Sequence, residues 1–239
     1  IILKPLFCSF LFKCLIIKVL FNLYLTADNL YLAMGLLEKL FGSHAFVKML
    51  KLFYLNPEQV FPGHEVATRT HTKSESARRE LRLLLDIGFI HKATQYVEVP
   101  SDEKEKKPRR RKVTGYMLDP SFQLLNELRD LVLTVAPISK QEITNRLRRV
   151  GRVKLVVLSG IFLKRGDSRI DMLIVGDGLK KGQIDMTLRS IESEVGKELS
   201  YALLETSDFK YRMGMSDKFV RDVFDYPHEV IIDKIGVVR

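Results

Sequence analysis

The chain has 239 residues, 46% hydrophobic and 28% charged, with a formal net charge of +10. This is ordinary soluble globular material, long enough for two modest domains, and its positive charge favours an acidic partner, nucleic acid first and an anionic membrane surface second. Its only cysteines, Cys8 and Cys14, share one short segment, which excludes a disulfide framework or a cysteine-based zinc site in either domain and fits a reducing cytoplasm.

Residues 1–33 are dense in Leu, Ile and Phe but broken by Lys4, Lys13 and Lys18, which are expensive within a membrane-spanning helix. The first methionine is Met34. The leading expectation is that the native chain starts there and that 1–33 is extra translated sequence. A membrane anchor and a packing helix are the other readings.

From Gly42 to Pro57, Phe46, Met49, Leu50 and Phe53 fall at helical spacing behind a capping Ser43. A short helix around His64 to Arg69 and a tight polar turn follow. Thr72 and Glu75, three apart, form a capping box for a third helix with an apolar stripe of Ala77, Leu81, Leu84 and Leu85, ended by Gly88. Opposite that stripe lie Arg78, Arg79 and Arg82, with Lys73, Ser74 and Ser76 at the positive N-terminal end, which suits phosphate. "FIHKATQYVEV" and "VTGYMLDP" then read as a hairpin whose basic tip holds Lys106, Lys107, Arg109, Arg110, Arg111 and Lys112.

Three helices and a basic hairpin, from about Met34 to Asp119, resemble the winged helix-turn-helix domains of prokaryotic DNA-binding proteins. The resemblance implies that the third helix enters the major groove of double-stranded DNA and that the hairpin touches its backbone or a minor groove. Residues 120–150 read as a helical connector broken at Ala136-Pro137, its second helix capped by Ser139 and Glu142.

Beyond residue 151 the order is strand (Leu155 to Ser159), loop, strand (Asp171 to Val175), helix (Lys181 to Leu199), strand (Tyr201 to Leu204), helix (Ser207 to Phe224) and a last strand (Glu229 to Ile232). With Ser159-Gly160 after the first strand and Ser168-Arg169-Ile170-Asp171 opening the second, this part resembles the minimal nucleotidyltransferase domains of the DNA polymerase beta superfamily. That family carries Gly-Ser in the turn and Ser-Asp-x-Asp on the strand, where period two puts both aspartates on one face to hold magnesium at a triphosphate. Here the Gly-Ser order is inverted and arginine replaces the first aspartate. An Arg169–Asp171 ion pair at the strand end is therefore expected, with Asp167 a loop residue that replaces the lost ligand only if the strand begins early. Ser159, Gly160, Lys164, Arg169 and Asp171 form a degenerate pocket in which Arg169 and Lys164 could replace the metal's charge. Glu198 and Glu205 are the only candidates for a third carboxylate.

The fold class is α/β (α+β): a winged helix-turn-helix domain (34–119), the connector and a small mixed-sheet nucleotidyltransferase-like domain (151–239). The leading functional reading is a cytoplasmic, sequence-specific transcriptional regulator whose second domain senses a ligand or forms a homodimer. It needs no catalytic residue, metal or cofactor; a nucleotide or magnesium enters only if the pocket functions. A magnesium-dependent nucleotidyltransferase and an antitoxin-like protein-interaction module are the alternatives.

Overall fold

The structure is a computed structural model that describes residues 37–99, 109–134, 138–164 and 168–237, and it mixes helices with two small sheets. The first 36 residues lie outside it. No helix among the described residues is long and apolar enough to cross a membrane.

Helix α1 (His44–Leu55) begins where the sequence places it, because the Ser43 hydroxyl accepts the Phe46 N–H at 3.2 Å. It is followed by α2 (Gly63–Arg69) and α3 (Ser74–Asp86), joined through His71, which sits in the left-handed region at φ 50°. The expected Thr72 cap does not form. Lys73 occupies the N-cap position without a side-chain hydrogen bond, and the Thr72 hydroxyl instead meets that of Thr70 at 2.8 Å. A neighbouring hydroxyl outcompetes the helix terminus for it. Gly88, at φ +75°, turns the chain out of α3.

Strands β1 (Ile90–Val99) and β2 (Arg109–Leu118) pair antiparallel from Ile90 opposite Leu118 to Val99 opposite Arg109. Arg109 to Lys112 therefore belong to a strand and not to the tip, a correction to the sequence reading. The basic run continues the ladder because it has partnered positions opposite it, from Tyr96 to Val99. Phe61 adds a bridge to Tyr116 through hydrogen bonds of 2.9 Å in both directions. Gly115 makes that approach feasible: a Cβ there would lie 2.2 Å from the Phe61 carbonyl oxygen. Phe46, Met49, Leu50 and Phe53 of α1 pack with Phe61, Leu81, Leu84 and Phe89 in one core.

Residues 120–150 divide between two cores. Helix α4 (Leu125–Thr134) adds Val132 to the first, and Tyr54 Oη donates to the Leu125 carbonyl at 3.0 Å. Helix α5 (Lys140–Leu147), capped by Ser139 as expected, adds Ile143 and Leu147 to the second.

The second half is built on a four-stranded sheet ordered β5-β4-β3-β6, from β3 (Arg152–Leu158), β4 (Met172–Asp177), β5 (Tyr201–Leu204) and β6 (Glu229–Asp233). β3 runs antiparallel to β4 and β6, while β4 and β5 are parallel. Alternation sends Val156 and Ile174 toward α5 and α6 (Lys181–Val195), and Leu155 and Leu173 toward α7 (Thr206–Gly214) and α8 (Lys218–Asp225). With both faces covered, the inner strands are apolar from Leu155 to Leu158 and from Met172 to Val175. One predicted helix over Ser207 to Phe224 is thus two; Ser216 breaks it at φ 53°, and Asp217 caps α8 by accepting the Val220 N–H at 3.1 Å.

The halves meet where α1 crosses the end of α6. Lys48 Nζ lies 3.1 Å from Glu194 Oε1 and donates to Ser193 Oγ at 3.2 Å. Lys51 Nζ donates to the Glu194 carbonyl at 3.3 Å, and Asn56 Nδ2 to that of Gly196 at 2.9 Å. Lysines suit the negative end of a helix. Gly196 ends α6 earlier than expected at φ +90°, and a Cβ on it would lie 2.8 Å from the Lys51 carbonyl carbon.

Replacing Gly115 by alanine should force Phe61 off the β2 edge. We expect a loss of about 1–3 kcal/mol, seen as a lower urea midpoint; an unchanged midpoint would show that the close approach is not needed.

Candidate nucleic-acid interface

Helix α3 and the hairpin frame an open groove of about 680 Å³, lined on one side by Ser74, Arg78 and Arg82 and on the other by Lys92, Thr114 and Tyr116. The helical side follows from spacing. Arg78 and Arg82 are four apart and project together, because Ala77, Leu81 and Leu84 are buried in the core beneath them. The hairpin side follows from period two. Lys92, Thr94 and Tyr96 share one face, opposite Tyr116, Thr114 and Lys112 in the ladder. The Thr94 and Thr114 hydroxyls meet at 3.2 Å, and Tyr96 beyond them is 65% exposed.

The predicted residues fall into distinct groups. Lys73 and Ser74 are exposed at the start of α3 and Ser76 is half-buried, while Arg78, Arg82, Arg111 and Lys112 are exposed. Among the described residues, none of Lys73, Arg78, Arg82, Lys92, Arg111 and Lys112 pairs with a carboxylate. Arg79 differs. Its guanidinium donates to Glu80 Oε1 at 2.9 Å, and the buried Glu80 also accepts from Ser43 Oγ at 2.9 Å. Arg79, itself exposed, therefore offsets the charge of a buried carboxylate, and Glu80 joins α3 to the start of α1. Arg109 and Arg110 take their places in β2, and Lys106 and Lys107 lie outside the described residues.

Sequence reasoning misses Lys92, Thr94, Tyr96 and Thr114. The signal is present in "KATQY", where alternate residues would share a face, but which face meets α3 depends on the register.

The eroded site of the second half is arranged differently from the expectation. β4 starts at Met172, so neither Arg169 nor Asp171 stands within the strand. Asp171 Oδ1 accepts the Ile161 N–H and Oδ2 the Ser200 N–H, both at 2.9 Å, so the carboxylate ties two loops together. Gly160, at φ +52°, permits this: a Cβ there would meet Asp171 Oδ1 at 2.2 Å. Ser168 Oγ lies 2.8 Å from Ser159 Oγ and accepts the Gly160 N–H at 3.1 Å. Ser159 Oγ also lies 2.8 Å from the Pro227 carbonyl oxygen.

The expected Arg169–Asp171 pair is absent. Arg169 reaches Asp222 of α8 at 2.6 Å and lies over the Phe219 ring, 5.5 Å from its centroid, where both charge and stacking favour a guanidinium. Lys164 Nζ donates to the Thr134 carbonyl at 2.9 Å. The two cations expected to replace a metal's charge are thus directed elsewhere. Glu198 pairs with Arg69 at 2.7 Å, Glu205 precedes α7 as its N-cap residue, and Asp167 lies outside the described residues. No three His, Cys, Asp or Glu among the described residues are grouped to hold a metal ion.

No family model, curated protein or solved structure matches the chain. Its functional reading rests on its own residues.

Replacing Asp171 by alanine would leave the Ile161 and Ser200 N–H groups without their acceptor. We expect a loss of about 1–3 kcal/mol for each that stays dry, read from urea unfolding. Asp171→Asn, which keeps one acceptor oxygen, should fall between the native protein and the alanine variant.

Proposed function

We propose that the protein is a double-stranded DNA-binding regulator in which α3 enters the major groove and the β1–β2 hairpin grips the adjacent backbone. The observation that carries this reading is the groove between them, whose cations pair with no carboxylate among the described residues. Other exposed arginines in this chain find carboxylates, as Arg79 and Arg169 do. Arg78, Arg82 and Lys92 instead line one open groove, with Lys112 further along the same hairpin face, and among the described residues none of the four pairs with a carboxylate. A phosphate backbone supplies the missing charge, and Ser74, Thr114 and Tyr96 add hydrogen-bonding and stacking groups.

On this reading the second half is a packing and regulatory body. Metal-dependent nucleotidyl transfer is the weaker alternative, because the surviving carboxylate, Asp171, already serves two backbone N–H groups and Arg169 faces α8.

Selection of genomic fragments at near-physiological salt tests the reading directly. The intact protein should enrich discrete sites, and Arg78→Ala/Arg82→Ala should abolish the enrichment. Lys92→Ala/Lys112→Ala should retain the site preference but flatten the dependence of log affinity on log salt by about two units, one for each phosphate left without its lysine. Arg79→Ala should alter stability more than DNA affinity. Uniform recovery of fragments, or equal salt slopes in all variants, would refute the assignment.

A further inference from the structure

Where α1 crosses α6, five ionisable groups crowd together. His44 opens α1, and both of its ring nitrogens face carboxylates: Nδ1 contacts Glu38 Oε1, and Nε2 lies 3.6 Å from Glu194 Oε1. A neutral imidazole carries one N–H, so its other nitrogen would turn a lone pair toward a carboxylate oxygen; only the imidazolium suits both neighbours. Lys48 approaches the same Glu194 oxygen at 3.1 Å. Glu194 Oε2 is buried without a hydrogen-bond partner among the described residues. The carboxylate thus depends on the two cations gathered at its other oxygen. Lys51, 2% exposed, meets the backbone carbonyl of the same residue.

We propose that this contact is a proton-operated clasp between the two halves: protonated His44 bridges Glu38 and Glu194 and holds α1 on α6, and loss of its proton loosens the junction. The clasp rests on the geometry of α1 and α6 and is independent of what α3 binds.

The charged groups that decide its sign are Glu38 before α1, His44, Lys48 and Lys51 on α1, Glu194 on α6, and the Arg79–Glu80 pair on α3, joined to Ser43 beside His44. Contact with Glu194 raises the His44 pKa above its ordinary 6.5 despite burial, and Glu38 adds to the effect. A raised pKa in the closed form means that the stabilisation is complete below the ordinary value and is lost as pH climbs through the raised one. Lys51 acts oppositely. Burial lowers its pKa from 10.5 to about 8, so above that pH the closed form releases a proton that an open form keeps, and closure is favoured again. For Glu194, burial opposes ionisation, but contact with His44 and Lys48 outweighs it and leaves the pKa at about 2, so its charge is constant throughout. Closure therefore weakens above pH 6.5 as His44 titrates and recovers in the alkaline range.

Loosening has a route outward. Ser43 caps α1 and donates to Glu80 on α3, so the first turn of α1 is one hydrogen bond from the groove-lining helix.

Amide hydrogen exchange on the full chain, corrected for intrinsic rates, is the test. As pH rises from about 6 to about 8, protection in the first turn of α1 and the last turn of α6 should fall severalfold while β3 and β4 stay protected, and His44→Gln should abolish that pH dependence. The same pH dependence in His44→Gln would overturn the proposal. A second measurement needs no variant to fold: NMR titration of the His44 ring should give a pKa above 6.5, and a value at or below the ordinary one would equally overturn it.

Discussion

Every residue from Phe46 to Tyr54 is buried, so α1 has almost no solvent face. One side fills the aromatic core beneath α3 and the hairpin; the other carries Lys48 and Lys51 onto the end of α6. A helix surrounded in this way normally consists of apolar residues. Here two buried ammonium groups replace them, and each needs a specific oxygen of α6 to offset its desolvation. The rest of the molecule is placed by that constraint. The groove is aimed by α3, α3 is seated on α1, and α1 is fixed by α6.

This arrangement explains what the sequence could and could not say. Phe46, Met49, Leu50 and Phe53 announce themselves by helical spacing, and Ser43 by its place before them, because core packing and capping are local in pattern. Lys48 and Lys51 carry no such mark. Lysines on an amphipathic helix ordinarily mark its wet side, and only the presence of α6, more than 140 positions away, reverses their meaning. Long-range docking is invisible to periodicity.

The candidate sites show the same division. Arg78 and Arg82 are legible because an exposed face is the complement of an apolar stripe. Charge groups Arg79 with them, yet one step around the helix it meets the buried Glu80, a residue that pattern alone assigns to solvent. Period two fits Ser168 to Asp171 to the start of a strand. In the structure backbone hydrogen bonding governs: Asp171 N–H donates to the Ser200 carbonyl at 2.6 Å, and the carboxylate accepts from Ile161 and Ser200. A D-x-D spacing implies a shared face only where the strand has already begun.

Gly196 gives the junction a further meaning. Its missing side chain lets the backbone of α6 come against that of α1, and Asn56 and Lys51 hydrogen-bond to the carbonyls around it. Two domains joined by a tether can be exchanged among proteins as cassettes, since little of either surface is committed to the other. These halves cannot. A chimera that retained the first half and received another second half would carry Lys48 and Lys51 into a setting without their oxygens, exposing or stranding both charges. Recombination, natural or engineered, would have to move α1 together with α6, so the unit of inheritance here extends across the boundary between the two cores.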